Sequence, residues 1–347
     1  MPHLAADKKE ASMIRIKELT TYLEEIAPLS LQESYDNSGL IVGDPETEIT
    51  GVLVCLDSIE AVIDEAIKNK CNLVIAHHPI IFGGLKKLNG KNYIERTVIK
   101  AIRNNIAIYA IHTNLDNVSE GVNRKIGKKL GLENLAILSG KKGTLSKLVT
   151  FAPHSHANVV RTALFAAGAG AIGNYDECSF NTEGTGTFRG NESSQPFAGK
   201  KGERHEEKEI RIESIFESHK ERAVLAALRK SHPYEEIAYD ILALQNGHSG
   251  IGSGMIGELK SELAEKEFIQ QLKVSMKASI VRHSPALGKS IRKVAICGGS
   301  GSFLLENAVR SGADALVTAD FRYHQFFGRW TDSDRRYRPF RERTVYN

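Results

Sequence analysis

The chain has 347 residues, 41% of them hydrophobic, and 46 Lys and Arg against 42 Asp and Glu give a formal net charge of +4. Of that charge, +3 comes from residues 328–347, where six arginines meet three acids, so the basic balance belongs to a tail and nucleic acid is not an expected partner. No run is apolar enough for a membrane span, and Cys55, Cys71, Cys178 and Cys297 are too scattered for a thiolate metal site or a disulfide framework, which points to a reducing cytoplasm.

Residues 1–12 are polar, lack a secretory core and read as a disordered leader. Residues 14–26 carry Ile14, Ile16, Leu19, Leu23 and Ile26 at helical spacing, and Pro28 follows as a stop. Strands are expected at 40–42, 51–56, 72–76 and 106–111, with helices at 59–69, 94–103 and 118–130. This alternation predicts an α/β unit with parallel strands and right-handed crossovers. The texture changes near residues 139–143. A strand at 145–152, a helix at 159–167, a Gly-, Ser- and Glu-rich hairpin at 181–208, a strand at 209–215, a helix at 222–231 and a strand at 237–244 give a β-α-β-β-α-β order. Residues 247–257 read as a flexible return. The α/β texture then resumes with a helix at 268–274, a strand at 293–297, a helix at 304–311 and a strand at 315–318. One core domain split by an insertion explains this order better than three domains in a row. Gly298-Gly299-Ser300-Gly301 lacks the Lys-Ser/Thr of a P-loop, so it reads as a tight strand-to-helix turn.

The chemistry concentrates at two strand exits. His77 and His78 end one apolar run, and His112-Thr113-Asn114-Leu115-Asp116 follows the next. In parallel sheets the crevice beyond the carboxyl ends of the strands binds ligands. Successive strand residues point to opposite faces, so the His-His pair needs a bend to converge, which Pro79 and Gly83-Gly84 can provide. Imidazole with carboxylate suits zinc, iron, manganese or nickel better than calcium or magnesium. The plainer reading is two polar residues at a strand end, satisfied by backbone partners; the second polar cluster in register favours a metal.

Together these motifs resemble the NIF3-like family of dinuclear metal proteins, sometimes labelled GTP cyclohydrolase 1 type 2 homologues. The likeness runs from about Ile14 to His324 through Ser34-Tyr35-Asp36-Asn37-Ser38-Gly39-Leu40, Ala76-His77-His78-Pro79, His112 to Asn117, Gly298 to Gly301 and Gly312-Ala313-Asp314. Ser231-His232-Pro233-Tyr234-Glu235-Glu236 looks like the hallmark of the PII/CutA1-like insertion carried by the long form. The resemblance implies two related α/β lobes around a mostly parallel sheet, with an inserted ferredoxin-like α+β domain. The boundaries are then 13–139 and 259–327 for the core lobes and 140–258 for the insertion. It also implies a homohexamer and two divalent transition ions per subunit. His77, His78 and Asp116 would be the ligands, with His112 and His324 as proton-transfer or substrate-contacting groups or, alternatively, as hydrogen-bonded strand-end histidines.

The tail departs from the family pattern. A Gly-His-x-x-x-Glu segment is expected near the carboxyl terminus, but residues 328–347 contain no such motif and no apolar run that could serve as a buried strand. Choosing allowed codons from Gly328 and dropping one nucleotide yields a strand followed by Gly-His-Phe-Glu-Ser-Glu, with histidine where Pro339 stands and glutamate where Arg343 stands. The tail therefore reads as a frameshift product.

Two functions follow. One is a metal-dependent hydrolase, acting on a nucleotide or other small molecule through water of lowered pKa. The other is a non-enzymatic metal or metabolite binding and regulatory protein, with the insertion as sensor or lid.

Overall fold

The computed structural model describes residues 13–286 and 288–321, and the backbone of residues 339–343. The expected leader, His324 and most of the tail lie outside the described residues.

The first part alternates as its periodicities require. Helix α1 (Ile16–Ile26) precedes β1 (Gly39–Val42), β2 (Val52–Asp57), α2 (Glu60–Lys68), β3 (Leu73–His78), α3 (Tyr93–Arg103) and β4 (Ala107–Ala110). Their sheet has the order β1-β4-β3-β2, with β2, β3 and β4 parallel and β1 antiparallel to β4. Strand alternation sends Leu73 and Tyr109 to the face covered by Ile16 of α1, and Val74 and Ile108 to the face covered by Ile63 of α2 and Val98 of α3. Each such fully buried side chain stabilises the fold by about 1.5–3 kcal/mol relative to exposure. Asn92 caps α3 by accepting the Glu95 amide at 2.9 Å.

After β4 the sequence predicts a helix over 118–130, but the structure has a short α4 (Thr113–Asp116) and then α5 (Val122–Lys129). Gly121 explains the later start. Its backbone lies so close to the Leu115 carbonyl that a Cβ there would sit 1.8 Å from the oxygen, and Val118 is engaged instead in a bridge with Ile251.

Strand β5 (Leu132–Gly140) leads to an antiparallel unit: β6 (Leu145–Pro153), α6 (His154–Ala166), β7 (Phe180–Phe188), β8 (His205–Glu217), α7 (Glu221–Ser231) and β9 (Tyr239–Ala243). Its sheet order is β7-β8-β6-β9. Val160 and Leu164 of α6 and Val224 and Leu228 of α7 pack on Leu148, Ile212 and Phe216, so both helices share one face of the sheet.

The chain returns through β10 (Gly252–Ala264), followed by α8 (Glu265–Met276), β11 (Ile280–His283), β12 (Ser290–Cys297), α9 (Leu305–Arg310), β13 (Ala315–Thr318) and β14 (Pro339–Arg343). These form a second core sheet in the order β11-β14-β13-β12-β10-β5. Here β12, β13 and β14 are parallel, while β10 pairs antiparallel with both β5 and β12, and β11 with β14. In place of the single mostly parallel sheet expected from the sequence, the core has two sheets. Only the first is mostly parallel, because its strands are joined by helical crossovers, whereas β5 and β10 pair as opposite arms of one excursion.

Two further expectations are corrected. The return at 247–257 is largely strand, because Gly252, Gly254 and Gly257 let neighbouring backbone approach closely. A Cβ on Gly252 would lie 2.2 Å from Ser139 O and one on Gly257 2.9 Å from Glu133 O. The tail, in which no apolar run for a buried strand is expected, nonetheless pairs as β14, since backbone pairing does not require an apolar sequence. Among the described residues no helix is long and apolar enough to cross a membrane.

Candidate metal centre

Three imidazoles meet at the carboxyl ends of β3 and β4. His77, His78 and His112 each offer a ring nitrogen, and these atoms all lie within 4.8 Å of one another. Ring centroids are 5.0 Å apart for His77 and His78, 5.2 Å for His77 and His112, and 5.4 Å for His78 and His112. The consecutive histidines converge because each is drawn to a different neighbouring strand. His77 Nδ1 donates to Ile111 O, just past β4, at 2.9 Å, and His78 Nδ1 donates to Asp57 Oδ1, at the end of β2, at 2.7 Å. Asp57 and His78 are register partners.

His112 is anchored likewise: its Nδ1 donates to Asp36 Oδ1 at 2.8 Å. With all three Nδ1 atoms engaged, each Nε2 is left as the available lone-pair donor. Burial, aided by His112 and His78, pushes the His77 imidazole down to about 4, so it is neutral at pH 7 and ready to ligate. Asp36 is the hub beneath. Burial opposes its ionisation, but hydrogen bonds from the Thr113 hydroxyl, His112, and the amides of Asn37 and Thr113 overcome this and hold its carboxyl below the ordinary range.

Asp116 lines the same cleft as the histidines, one helical turn beyond His112. Its Oδ1 is buried with no hydrogen-bond partner among the described residues. Burial, then the nearby Asp36 charge, raises its carboxyl to about 7. The turn that carries it is fixed by Asn114 Nδ2, which donates to Ala27 O at 2.7 Å, and by Asn117 Nδ2, which donates to Leu31 O at 2.9 Å. Asp116 is not among the three residues that share the tightest cluster, and His112 is. His324 lies outside the described residues.

The cleft, about 1440 Å³, runs between the two core sheets and is closed on the far side by Cys297, the Gly298 to Ser300 turn and Thr318. The turn is held internally: Gly298 N–H donates to Asn123 Oδ1 and Gly301 N–H to Thr318 Oγ1, both at 2.8 Å. Burial and then Asp116 push the Cys297 thiol up to about 12, so it is protonated at neutral pH. Tyr35, Phe82 and Phe303 stand half or more exposed in the cleft.

Sequence reasoning missed Asp57 and gave Asp36 no role. The available signal was that residue 57 directly follows the strand predicted at 51–56, which precedes the one bearing His78 in the α/β alternation. Replacing Asp57 by alanine is expected to weaken zinc binding about 10–100-fold, the usual cost of removing the acceptor behind a ligating imidazole; competition with a chromophoric chelator reads this.

The chain belongs to the Duf34/NIF3 (NGG1p interacting factor 3) family, whose family model matches residues 14–331. A protein of Halalkalibacterium halodurans called "GTP cyclohydrolase 1 type 2 homolog" is 43% identical over 302 residues, covering 87% of this chain and 81% of that protein. A Bacillus subtilis protein of the same name is 38% identical over 315 residues, covering 90% and 84%. The crystal structure of a Bacillus cereus protein related to NIF3 superposes with a TM-score of 0.82 at 36% identity, covering 96% of this chain and 89% of that one.

Proposed function

We propose that this protein is a metal-dependent hydrolase acting on a nucleotide or other small molecule in the cleft between the two core sheets. The observation that carries the reading is the trio of imidazoles, each oriented through Nδ1, beside the buried Asp116 Oδ1, which has no partner among the described residues. Unpartnered buried carboxylate oxygens are rare because they are costly, and a cation supplies the missing partner. This donor set fits one divalent ion of the zinc, iron, manganese or nickel type. When bound, such an ion would supply Lewis acidity and water of lowered pKa.

The chain's own residues complete the design. His77, His78 and Asp116 are the ligands proposed from sequence, and the cluster supports adding His112. Asp36 and Asp57 orient His112 and His78. Exposed aromatic side chains in the cleft, with the names carried by the relatives, favour a substrate with a planar ring.

The expected second ion per subunit lacks ligands here, because Pro339 and Arg343 stand where the pattern calls for histidine and glutamate. We therefore assign one ion to this chain. The strand order and the Ser231 to Glu236 motif support a PII/CutA1-like reading of the inserted unit at 140–258, and a homohexamer in the cytoplasm is the assembly proposed. Metal-loaded protein incubated with a panel including GTP and phosphodiesters should show turnover by mass spectrometry, abolished by chelation and in His77→Ala. Stoichiometric metal without turnover across the panel would favour the binding and regulatory reading.

A further inference from the structure

The inserted unit has a cavity of about 610 Å³, within the usual size range for a small-molecule site. It lies on the sheet face away from α6 and α7. Strand alternation puts Ile210 and Ile212 of β8 toward the helices, and Glu209 and Arg211 toward the opposite side. The register places Gly184 across from Glu209, and a Cβ built at Gly184 would meet nothing within 4 Å, so the glycine leaves the cavity floor bare.

Glu209 is the unusual group. It is only 8% exposed, and among the described residues no Lys, Arg or His nitrogen pairs with it. Its Oε1 accepts the Tyr234 hydroxyl at 2.8 Å, and its Oε2 lies over the Gly186 backbone. A buried carboxylate held by a single neutral donor lacks the counter-charge that buried ions ordinarily find. Around it stand Phe188 and Phe197, with ring centroids 5.9 and 6.0 Å from that of Tyr234. Glu235 and Glu236 add negative charge to the lining, whereas Arg211 is already engaged with Glu213 at 3.0 Å and Arg189 is exposed.

The site is built rather than incidental. His232 Nε2 donates to Phe151 O at 2.8 Å and its Nδ1 accepts the Tyr234 amide at 3.1 Å, fixing the loop that presents the tyrosine. Glu235 Oε1 accepts the Gln195 amide at 2.7 Å, which ties down the segment carrying Phe197. Aromatic faces around a carboxylate are the arrangement that receives an organic cation, the rings through their electron-rich faces and the carboxylate through a charge-assisted hydrogen bond.

We infer that this cavity binds a small organic amine, its ammonium on Glu209 and its apolar body between Phe188, Phe197 and Tyr234. Calorimetry on the full chain at neutral pH tests this with phenethylamine as probe, against hydrocinnamate and phenethyl alcohol, which keep the ring but carry a negative or no charge. Saturable binding of phenethylamine is expected, with the two analogues weaker by about tenfold or more. Glu209→Gln should cost about the same factor. Phe197→Ala, at an exposed rim position, should weaken binding without threatening the fold, while His77→Ala should leave it unchanged. Absence of phenethylamine binding, equal binding of the alcohol, binding unaltered in both Glu209→Gln and Phe197→Ala, or binding lost in His77→Ala would each overturn the assignment.

Discussion

His77→Ala is expected to lower zinc affinity by more than the about 10–100-fold that loss of an outer partner costs, because it removes a ligand and not merely its support. Burial keeps the His77 imidazole neutral, and its ring is held at the cluster by the Ile111 carbonyl. His112→Ala should fall comparably if it ligates, and far less if it serves only in proton transfer. Elemental analysis after incubation with zinc, together with chelator competition, separates these cases. Undiminished zinc content in His77→Ala would remove the basis for a metal centre at this place.

Exchanging residues 328–347 for the other reading frame should raise bound metal from one ion to two per chain. Strand β14 runs parallel to β13, so its carboxyl end faces the same way as Thr318, which lines the cleft. In the other frame the apolar run precedes the Gly-His-x-x-x-Glu segment, so a strand formed by that run beside β13 would put the histidine and glutamate at its carboxyl end, and the added carboxylate would offset repulsion between two neighbouring cations. Native mass spectrometry counts the ions; a count unchanged in the exchanged protein would show that the tail is not what limits occupancy.

Much of the site was legible because its residues fall where two buried strands end. His77, His78 and the His112 to Asp116 segment could be placed at one sheet edge from hydrophobic runs alone. The supporting carboxylates were not, since Asp36 and Asp57 lie 76 and 21 residues from the histidines they orient, and only tertiary pairing brings them together. His112 was placed at the site in another role, and only its packing beside His77 and His78 in the folded chain motivates counting it with the proposed ligands. In the fold, β10 was obscured by its own glycines. Gly252, Gly254 and Gly257 depress strand propensity, yet they are what allow β5 and β12 to pair closely on its two sides. Helix α5 was drawn too long because apolar periodicity continued through Val118, where packing at Gly121 decided otherwise.

Gly140 and Gly252 face each other on the last rung of the β5–β10 ladder, and the Lys141 amide still reaches Ile251 O at 3.1 Å. The excursion between them therefore departs and comes home at a single point, like a bead hung on a hairpin. Excising it would leave two ends about 5 Å apart, close enough for a tight turn to join. The joint should keep Lys141, whose ammonium holds Leu31 O at 2.8 Å and Gln32 O at 3.0 Å, and Ser253, whose hydroxyl donates to Asn117 Oδ1 at 2.9 Å. With those two braces retained, the shortened chain is expected to fold and to keep the three histidines together, which circular dichroism and zinc content check.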